Sequence, residues 1–134
     1  MKIITDTNKL FSAALSKNGK IAQTLFSDEH EFIVPHFTMV ELFKYKDKLI
    51  SLTKKLEIEV LEILYHVLLQ VNFYNEKSLS LPSRQSAYDL CKDVDIKDAV
   101  FVALSFELDA PLWTGDKKLK KGLIAKGFTN FFED

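Results

Sequence analysis

The chain has 134 residues, of which 47% are hydrophobic, 28% charged and 12% aromatic. This length and apolar fraction exclude a largely disordered protein, because a chain of this size buries about two thirds of its unfolded surface. The 18 basic and 19 acidic residues nearly cancel, which excludes nucleic-acid binding through a strong overall field. A single cysteine excludes a disulfide framework, and no apolar run reaches bilayer-spanning length, so we expect one cytoplasmic domain over residues 1–134.

Short apolar runs alternate with helical patterns from the first residues onward. The run Lys2 to Thr5 predicts a buried strand, and apolar residues at helical spacing predict a helix ending near Leu15. Asn18 is a candidate N-cap for a second helix. Phe32 to Val34, which precede Pro35, predict the second strand.

The middle of the chain contains the longest helical stripe. A helix is expected from Thr38, because Thr38-x-x-Glu41 has the spacing of a capping box, and Ser51-Leu52-Thr53 predicts a break. Apolar residues from Leu56 to Val71 then recur at helical spacing over about four turns. Residues 72–75 predict a third short strand.

The last third of the chain has the same alternation. A polar helix is expected after Pro82, and Ile96 to Leu108, apolar on nearly every side, predicts a central buried helix. Pro111 to Thr114 predict a strand, Asp116 to Lys126 a lysine-rich helix, and Phe128 to Phe132 a final strand. Strands separated by helices indicate an α/β fold whose parallel sheet is covered on both sides.

Acidic residues stand where a parallel sheet gathers its ligands, at the carboxyl ends of strands. Asp6 and Asp116 follow predicted strands, Glu41 begins the helix after the second strand, and Asp95 and Asp98 begin the buried helix. Helix capping explains each acid taken singly. If the acids are close together, the repulsion between one pair about 5 Å apart costs roughly 3 kcal/mol at an effective dielectric near 20. We therefore expect a cation that relieves it. Oxygen-only ligands favour Mg²⁺ or Mn²⁺, whose natural chemistry here is phosphodiester hydrolysis.

Four short motifs occur in order along the chain: Ile4-Thr5-Asp6-Thr7-Asn8, Val34-Pro35 leading to Val40-Glu41-Leu42, Asp98 to Leu104, and Leu112-Trp113-Thr114-Gly115-Asp116-Lys117. Together they resemble a PIN domain, and in particular the small prokaryotic PIN proteins that include VapC-type toxin ribonucleases. The resemblance implies a three-layer α/β/α sandwich around a parallel sheet of about five strands. It also implies metal-dependent cleavage of single-stranded RNA by a toxin that a cognate antitoxin holds inactive. Homodimers are common among similar proteins.

The resemblance further assigns roles to individual residues. It implies that the catalytic residues and the ligands of Mg²⁺ or Mn²⁺ are Asp6, Glu41, Asp98 and Asp116. Asn8 and Thr114 match polar positions that support such sites by hydrogen bonds to a carboxylate or a bound water. Asp95 matches the extra acid that some relatives have one turn ahead of the third acid, so we expect it to support the others.

Lysines near the predicted site have two interpretations. Lys117 and Lys118 follow Asp116 directly; a solvated helix face is the default explanation, and contact with the RNA backbone is the functional one. Aromatic residues of the early helices present the same choice between core packing and an apolar patch for an antitoxin or a second subunit; they are Phe11, Phe37, Phe43 and Tyr45.

Two other functions remain open at this stage. One is a non-catalytic PIN-like module that binds RNA or protein, with its acids serving only as helix caps. The other is a Mg²⁺-dependent phosphotransfer domain on a receiver-like fold, which needs paired acids after the first strand, whereas Asp6 stands alone. The three histidines lack zinc spacing, and no glycine-rich phosphate loop is present.

Overall fold

A four-stranded parallel sheet forms the centre of the computed structural model, which describes all residues, 1–134. Its strands are β1 (Lys2–Thr5), β2 (Glu31–Pro35), β3 (Val71–Tyr74) and β4 (Leu112–Trp113). They lie in the order β3-β2-β1-β4, and every neighbouring pair is parallel.

The expected fifth strand at Phe128 to Phe132 is reduced to one bridge, between Leu112 and Phe131. The backbone turns at this point, because the N–H of Phe131 donates to the carbonyl of Thr129 at 2.9 Å. Only one residue therefore lies in register with β4, and the prediction of about five strands is corrected to four.

Eight helices cover the sheet: α1 (Thr7–Leu15), α2 (Lys20–Leu25), α3 (Phe37–Lys44), α4 (Lys46–Thr53), α5 (Glu57–Leu69), α6 (Leu81–Cys91), α7 (Ala99–Leu108) and α8 (Lys117–Ala125). Single 3₁₀ turns occupy Glu76–Ser78 and Ile96–Asp98. None of the helices combines the length and the apolar character needed to cross a membrane.

Side chains alternate across the sheet and divide the core in two. Ile3 and Trp113 face a cluster that includes residues of α1 to α5, whereas Ile4 and Leu112 face a cluster that includes residues of α6 to α8. This period of two is the geometry of a strand buried on both faces. The predicted α/β fold with helices on both faces of a parallel sheet is confirmed.

Helix α7 is apolar around its circumference because it is enclosed on several sides. Val102 and Leu104 are fully buried, and the helix contacts α6 as well as strands β1, β2 and β4. The 3₁₀ turn Ile96–Asp98 leads directly into it, so the start of α7 is held in place at the edge of the sheet.

Three local predictions are corrected by the structure. Helix α2 begins after Gly19 rather than after Asn18, and no side chain caps it. The reason is a turn in which the N–H of Gly19 donates to the carbonyl of Ser16. The break expected at residues 51–53 follows directly after them, because α4 continues to Thr53 and the chain leaves the helix over residues 54–56; a further bend at Tyr45 divides α3 from α4. The third is the capping box expected at Thr38, which does not form, because α3 already begins at Phe37 and has no side-chain cap.

Helix α8 packs so closely on the segment before Asp95 that Gly122 has no room for a side chain. A Cβ there would lie 2.7 Å from both γ-methyl groups of Val94. We expect Gly122→Ala to lower the free energy of unfolding by about 1–3 kcal/mol through overpacking, although alanine is the better helix former. Chemical denaturation measures the change.

Val94→Ala should restore room, so the double variant should be more stable than the sum of the two single effects predicts. Gly115→Ala is the matched control, because its nearest foreign atom is Lys9 Cε at an ordinary 3.7 Å. A Gly122→Ala protein as stable as the wild type would contradict the close packing.

Candidate metal centre

An acidic cleft opens at the carboxyl ends of β1 and β4. The cleft has a volume of about 170 Å³, and five carboxylates line it: Asp6, Glu41, Asp95, Asp98 and Asp116. The parallel sheet explains the convergence, because Asp6 follows β1 and Asp116 follows β4, its neighbour. The structure thus brings together all four acids that were predicted to be metal ligands.

The carboxylate oxygens that lie closest belong to Asp95, Asp98 and Asp116. One oxygen from each lies within 4.8 Å of the others, which is a spacing that one ion can bridge. Sequence reasoning gave Asp95 only a supporting role, whereas the structure places it in the tightest group. Asp6 and Glu41 line the same cleft outside that group.

Asp6 is held rigidly at the floor of the cleft. Its side chain accepts a hydrogen bond from the N–H of Lys9 at 2.9 Å and a second from the hydroxyl of Thr114. The residue is only 6% exposed, and burial raises its pKa above the ordinary value, against these two hydrogen bonds, which lower it. Thr114 therefore contacts a carboxylate, as expected, from a fully enclosed position behind the cleft.

Glu41 is oriented by α1 rather than by its own helix. Its carboxylate accepts a hydrogen bond from the hydroxyl of Thr7 at 2.6 Å, and the Thr7 hydroxyl also lies 3.2 Å from that of Thr38. Thr38 is fully buried and does not cap α3, which begins at Phe37. The capping spacing of Thr38 and Glu41 is in fact a contact between two helices that fixes the glutamate.

Helix capping accounts for only part of the acidic set. Asp6, Asp95 and Asp116 each accept a hydrogen bond from the backbone N–H of the helix or turn that follows. Glu41 and Asp98 make no such bond, although Asp98 directly precedes α7. Capping therefore leaves two of the five carboxylates unexplained.

Asp98 experiences the strongest electrostatic conflict in the cleft. Its pKa is raised from 3.8 to about 7; burial is the largest cause, followed by the neighbouring charges of Asp95, Asp6, Asp116 and Glu41 in that order. Without a cation, this carboxylate resists ionisation at neutral pH. A divalent ion beside it would reverse the effect.

The donor set fits Mg²⁺ or Mn²⁺. All five acidic side chains offer hard oxygen ligands, and no histidine or cysteine lines the cleft. Lys97 is the one basic residue in the lining, so a single ammonium faces five carboxylates. The remaining negative charge is of the kind that a bound divalent cation compensates.

Only some of the other predicted residues line the cleft. Asn8 is exposed and lines the cleft, whereas Lys117 and Lys118 are exposed on the first turn of α8 and do not line it. Lys97 and Tyr45 also line it; Lys97 was not predicted at all, and Tyr45 was considered only for an apolar patch. The position of Lys97 between Asp95, predicted to support the site, and the predicted ligand Asp98 was a usable signal. No sequence signal placed Tyr45 at the cleft, because its position depends on the bend between α3 and α4.

The architecture and the cleft together define an α/β/α protein with an acidic site at the sheet edge. The sequence matches the family model of the PIN domain over residues 4–130, so the chain belongs to the PIN domain family, as the motifs predicted. A chain of the VapBC2 complex of Rickettsia felis, solved bound to a DNA fragment from their promoter, has a similar fold. That match has a TM-score of 0.61 at 16% identity and covers 90% of this chain and 92% of the other. A comparison with curated protein sequences finds no match.

The raised pKa of Asp98 predicts how the stability of the metal-free protein depends on pH. Below about pH 4 the carboxyl is protonated in both states; between about pH 4 and pH 7 the unfolded chain releases the proton and the folded protein retains it. Stability should therefore fall across this interval. In the presence of a chelator, the Asp98→Asn variant should have a higher melting temperature than the wild type at about pH 8 and a similar one at about pH 4.

At about pH 8, millimolar Mn²⁺ should give the wild type the higher melting temperature, because the ion stabilises the wild type by binding and the variant binds it more weakly. Thermal melts in the chelator and in Mn²⁺ measure both effects. Asp89→Asn, an exposed aspartate on α6, is the matched control and should show no such reversal. Equal melting of the wild type and Asp98→Asn under all four conditions would contradict a metal centre at this site.

Proposed function

We propose that this protein is a single-domain, metal-dependent endoribonuclease that hydrolyses phosphodiester bonds in single-stranded RNA, and that it is the toxin of a toxin–antitoxin pair. The convergence of five carboxylates on one cleft with a single lysine carries the proposal. Membership of the PIN domain family supports it. We place the activity in the cytoplasm, where the buried Cys91 remains a thiol.

The ligands of Mg²⁺ or Mn²⁺ would be Asp98 and Asp116 with Asp95 beside them, and Asp6 and Glu41 would complete the site. A divalent ion held there polarises a phosphoryl oxygen, lowers the pKa of water and stabilises the leaving oxygen. The proposed catalytic residues remain Asp6, Glu41, Asp98 and Asp116. Asp95 is added to them as a ligand because of its position in the closest triad.

The supporting residues fix these carboxylates before substrate arrives. Thr114 holds Asp6, and Thr7 holds Glu41, so neither side chain has to be ordered during the reaction. Asn8 lies exposed at the cleft, where its amide can donate to a phosphate oxygen. Lys97 places one positive charge among the acids and can contact the same phosphate.

Cleavage of RNA tests the proposal directly. Purified protein should cut a labelled single-stranded RNA in Mn²⁺ or Mg²⁺ and not in excess chelator. Asp98→Asn should lower kcat/KM by at least about 100-fold, because an uncharged amide is a poor ligand for a hard cation. Asp6→Asn and Asp116→Asn should have comparable effects, measured by gel electrophoresis of the products.

The matched control Asp89→Asn should cut like the wild type, and circular dichroism should show that every variant is folded. Wild-type protein that binds RNA but does not cut it would favour a non-catalytic PIN-like module instead. Activity that persists in Asp98→Asn would overturn the assignment of the site.

An antitoxin partner is the second part of the proposal. The outer face of α3 carries Met39, Val40 and Phe43, which are 40%, 52% and 47% exposed. Glu41 lies on the same helix and reaches the acidic cleft, so a protein that covers this face would also obstruct the site. The structural likeness to a chain of the VapBC2 complex supports such a partner. The homodimer stays a prediction.

The antitoxin proposal predicts that Phe43→Glu weakens binding of the protein encoded by a small neighbouring reading frame by at least about 10-fold. Calorimetry measures the affinity, and inhibition of RNA cleavage provides the second readout. Tyr88→Glu, at a 51% exposed residue on α6, is the control and should bind like the wild type. Equal affinity of Phe43→Glu and the wild type would exclude this face of α3.

A further inference from the structure

The acidic cleft continues into a second, smaller depression on the side of α3 and α4. This depression, of about 90 Å³, is lined by Asn8, Phe11, Tyr45 and Lys48. Asn8 and Tyr45 line the acidic cleft as well, so the two form one continuous groove. Tyr45 is therefore an aromatic ring placed directly beside the candidate metal centre.

We infer that Tyr45 and Lys48 form a nucleotide subsite, in which an unpaired base stacks on the Tyr45 ring and Lys48 contacts the adjoining phosphate. The inference rests on the proposed function and adds the residues that recognise a single strand next to the reactive phosphodiester. Stacking on an aromatic ring is tolerant of sequence and requires a base that is not paired. The subsite thereby selects single-stranded over double-stranded RNA.

The backbone and the ring of Tyr45 are each held by contacts with neighbouring residues. Its backbone N–H donates to the carbonyls of Glu41 and Leu42 at 3.2 and 3.1 Å, so it stands one helical turn beyond Glu41. Phe11 of α1 contacts it edge to face, with ring centroids 5.6 Å apart and an interplanar angle of 74°. A ring fixed in this way loses little conformational entropy when a base stacks on it.

Lys48 is placed to meet a phosphate rather than an acidic partner. Its ammonium lies 5.4 Å from the centroid of the Phe11 ring, and it forms no salt bridge. The acidic cleft repels a polyanion, so a nucleic acid needs positive charges on either side of it. Lys48 supplies one beside the Tyr45 ring.

A third depression, which Asn8 also lines, extends the groove. It has a volume of about 280 Å³, and Lys9, Ser12, Gly115 and Asp116 are among its lining residues. Gly115 is exposed and has no side chain, so a backbone can approach closely there, next to the Lys9 ammonium. A single strand can thus run from Tyr45 past Asn8 and the acids to Lys9.

Scanning an abasic residue through the RNA locates the stacked base without changing the protein. The probe is a labelled single-stranded oligoribonucleotide of about 10 residues, and binding is measured in the Asp98→Asn background, which prevents cleavage. One abasic position should weaken binding about 5- to 100-fold, and adding Tyr45→Ala should then cause little further loss. Additive losses at every position would overturn the stacking contact.

Conservative variants separate stacking from structural damage. Tyr45→Phe keeps the ring and should bind within about twofold of its Asp98→Asn parent, whereas Tyr45→Ala should lose about 5- to 100-fold. Tyr88→Ala is the matched control at an exposed tyrosine on α6. Lys48→Ala should reduce the slope of log Kd against log salt by about 0.7, and Lys92→Ala should leave it unchanged. Equal binding by Tyr45→Ala and Tyr45→Phe would exclude the subsite.

Failure of this inference differs from failure of the proposed function. If the wild type cuts RNA while Tyr45→Ala has the same KM, kcat and Kd as the wild type, the nuclease stands and the subsite is wrong. If the protein does not cut RNA but binds it in a manner that depends on Tyr45 and on one base, the subsite is supported and the proposed nuclease activity is wrong. Equal affinity for single-stranded and fully paired RNA would overturn the subsite in either case.

Discussion

Electrostatic repulsion among the five carboxylates of the cleft is the force that the packing of this fold has to overcome. The acids would separate if their backbone were free to move, but two cores on opposite faces of the sheet hold the strand ends and α7 in place. Packing thus maintains an arrangement that charge alone opposes. The raised pKa of Asp98 reflects both effects, because burial is its largest cause and repulsion by the neighbouring acids supplies the rest.

The hydroxyl groups of buried threonines help to hold the acidic side chains in the cleft. Thr7, Thr38 and Thr114 are buried, yet their hydroxyl groups contact each other or the acidic side chains rather than only the backbone. The caps at Asp6 and Asp116 likewise serve two purposes, since each fixes a carboxylate while it satisfies a helix N-terminus. Stability and site geometry are therefore achieved by the same hydrogen bonds.

Sequence reasoning succeeded where a local pattern decides the structure. The apolar runs around Ile4 and Ile33 and the all-round apolar character of α7 identified the strands and the central helix, and the acids after the strands could be placed at one sheet edge. It failed where a distant contact decides. Thr38 has capping spacing but bonds to Thr7, 31 residues earlier, and the bend at Tyr45 leaves no sequence signal.

The distribution of charge matters more than its sum. A formal charge of -1 excludes a strong overall field, but five of the 19 acidic residues line one cleft that contains a single lysine. The proposed RNA substrate would therefore be attracted only weakly at long range, and its affinity would have to come from short-range contacts along the groove. Stacking is such a contact, because it does not depend on net charge. If the protein is the nuclease proposed above, an aromatic ring beside the acids would hold a single strand without requiring a large positive net charge.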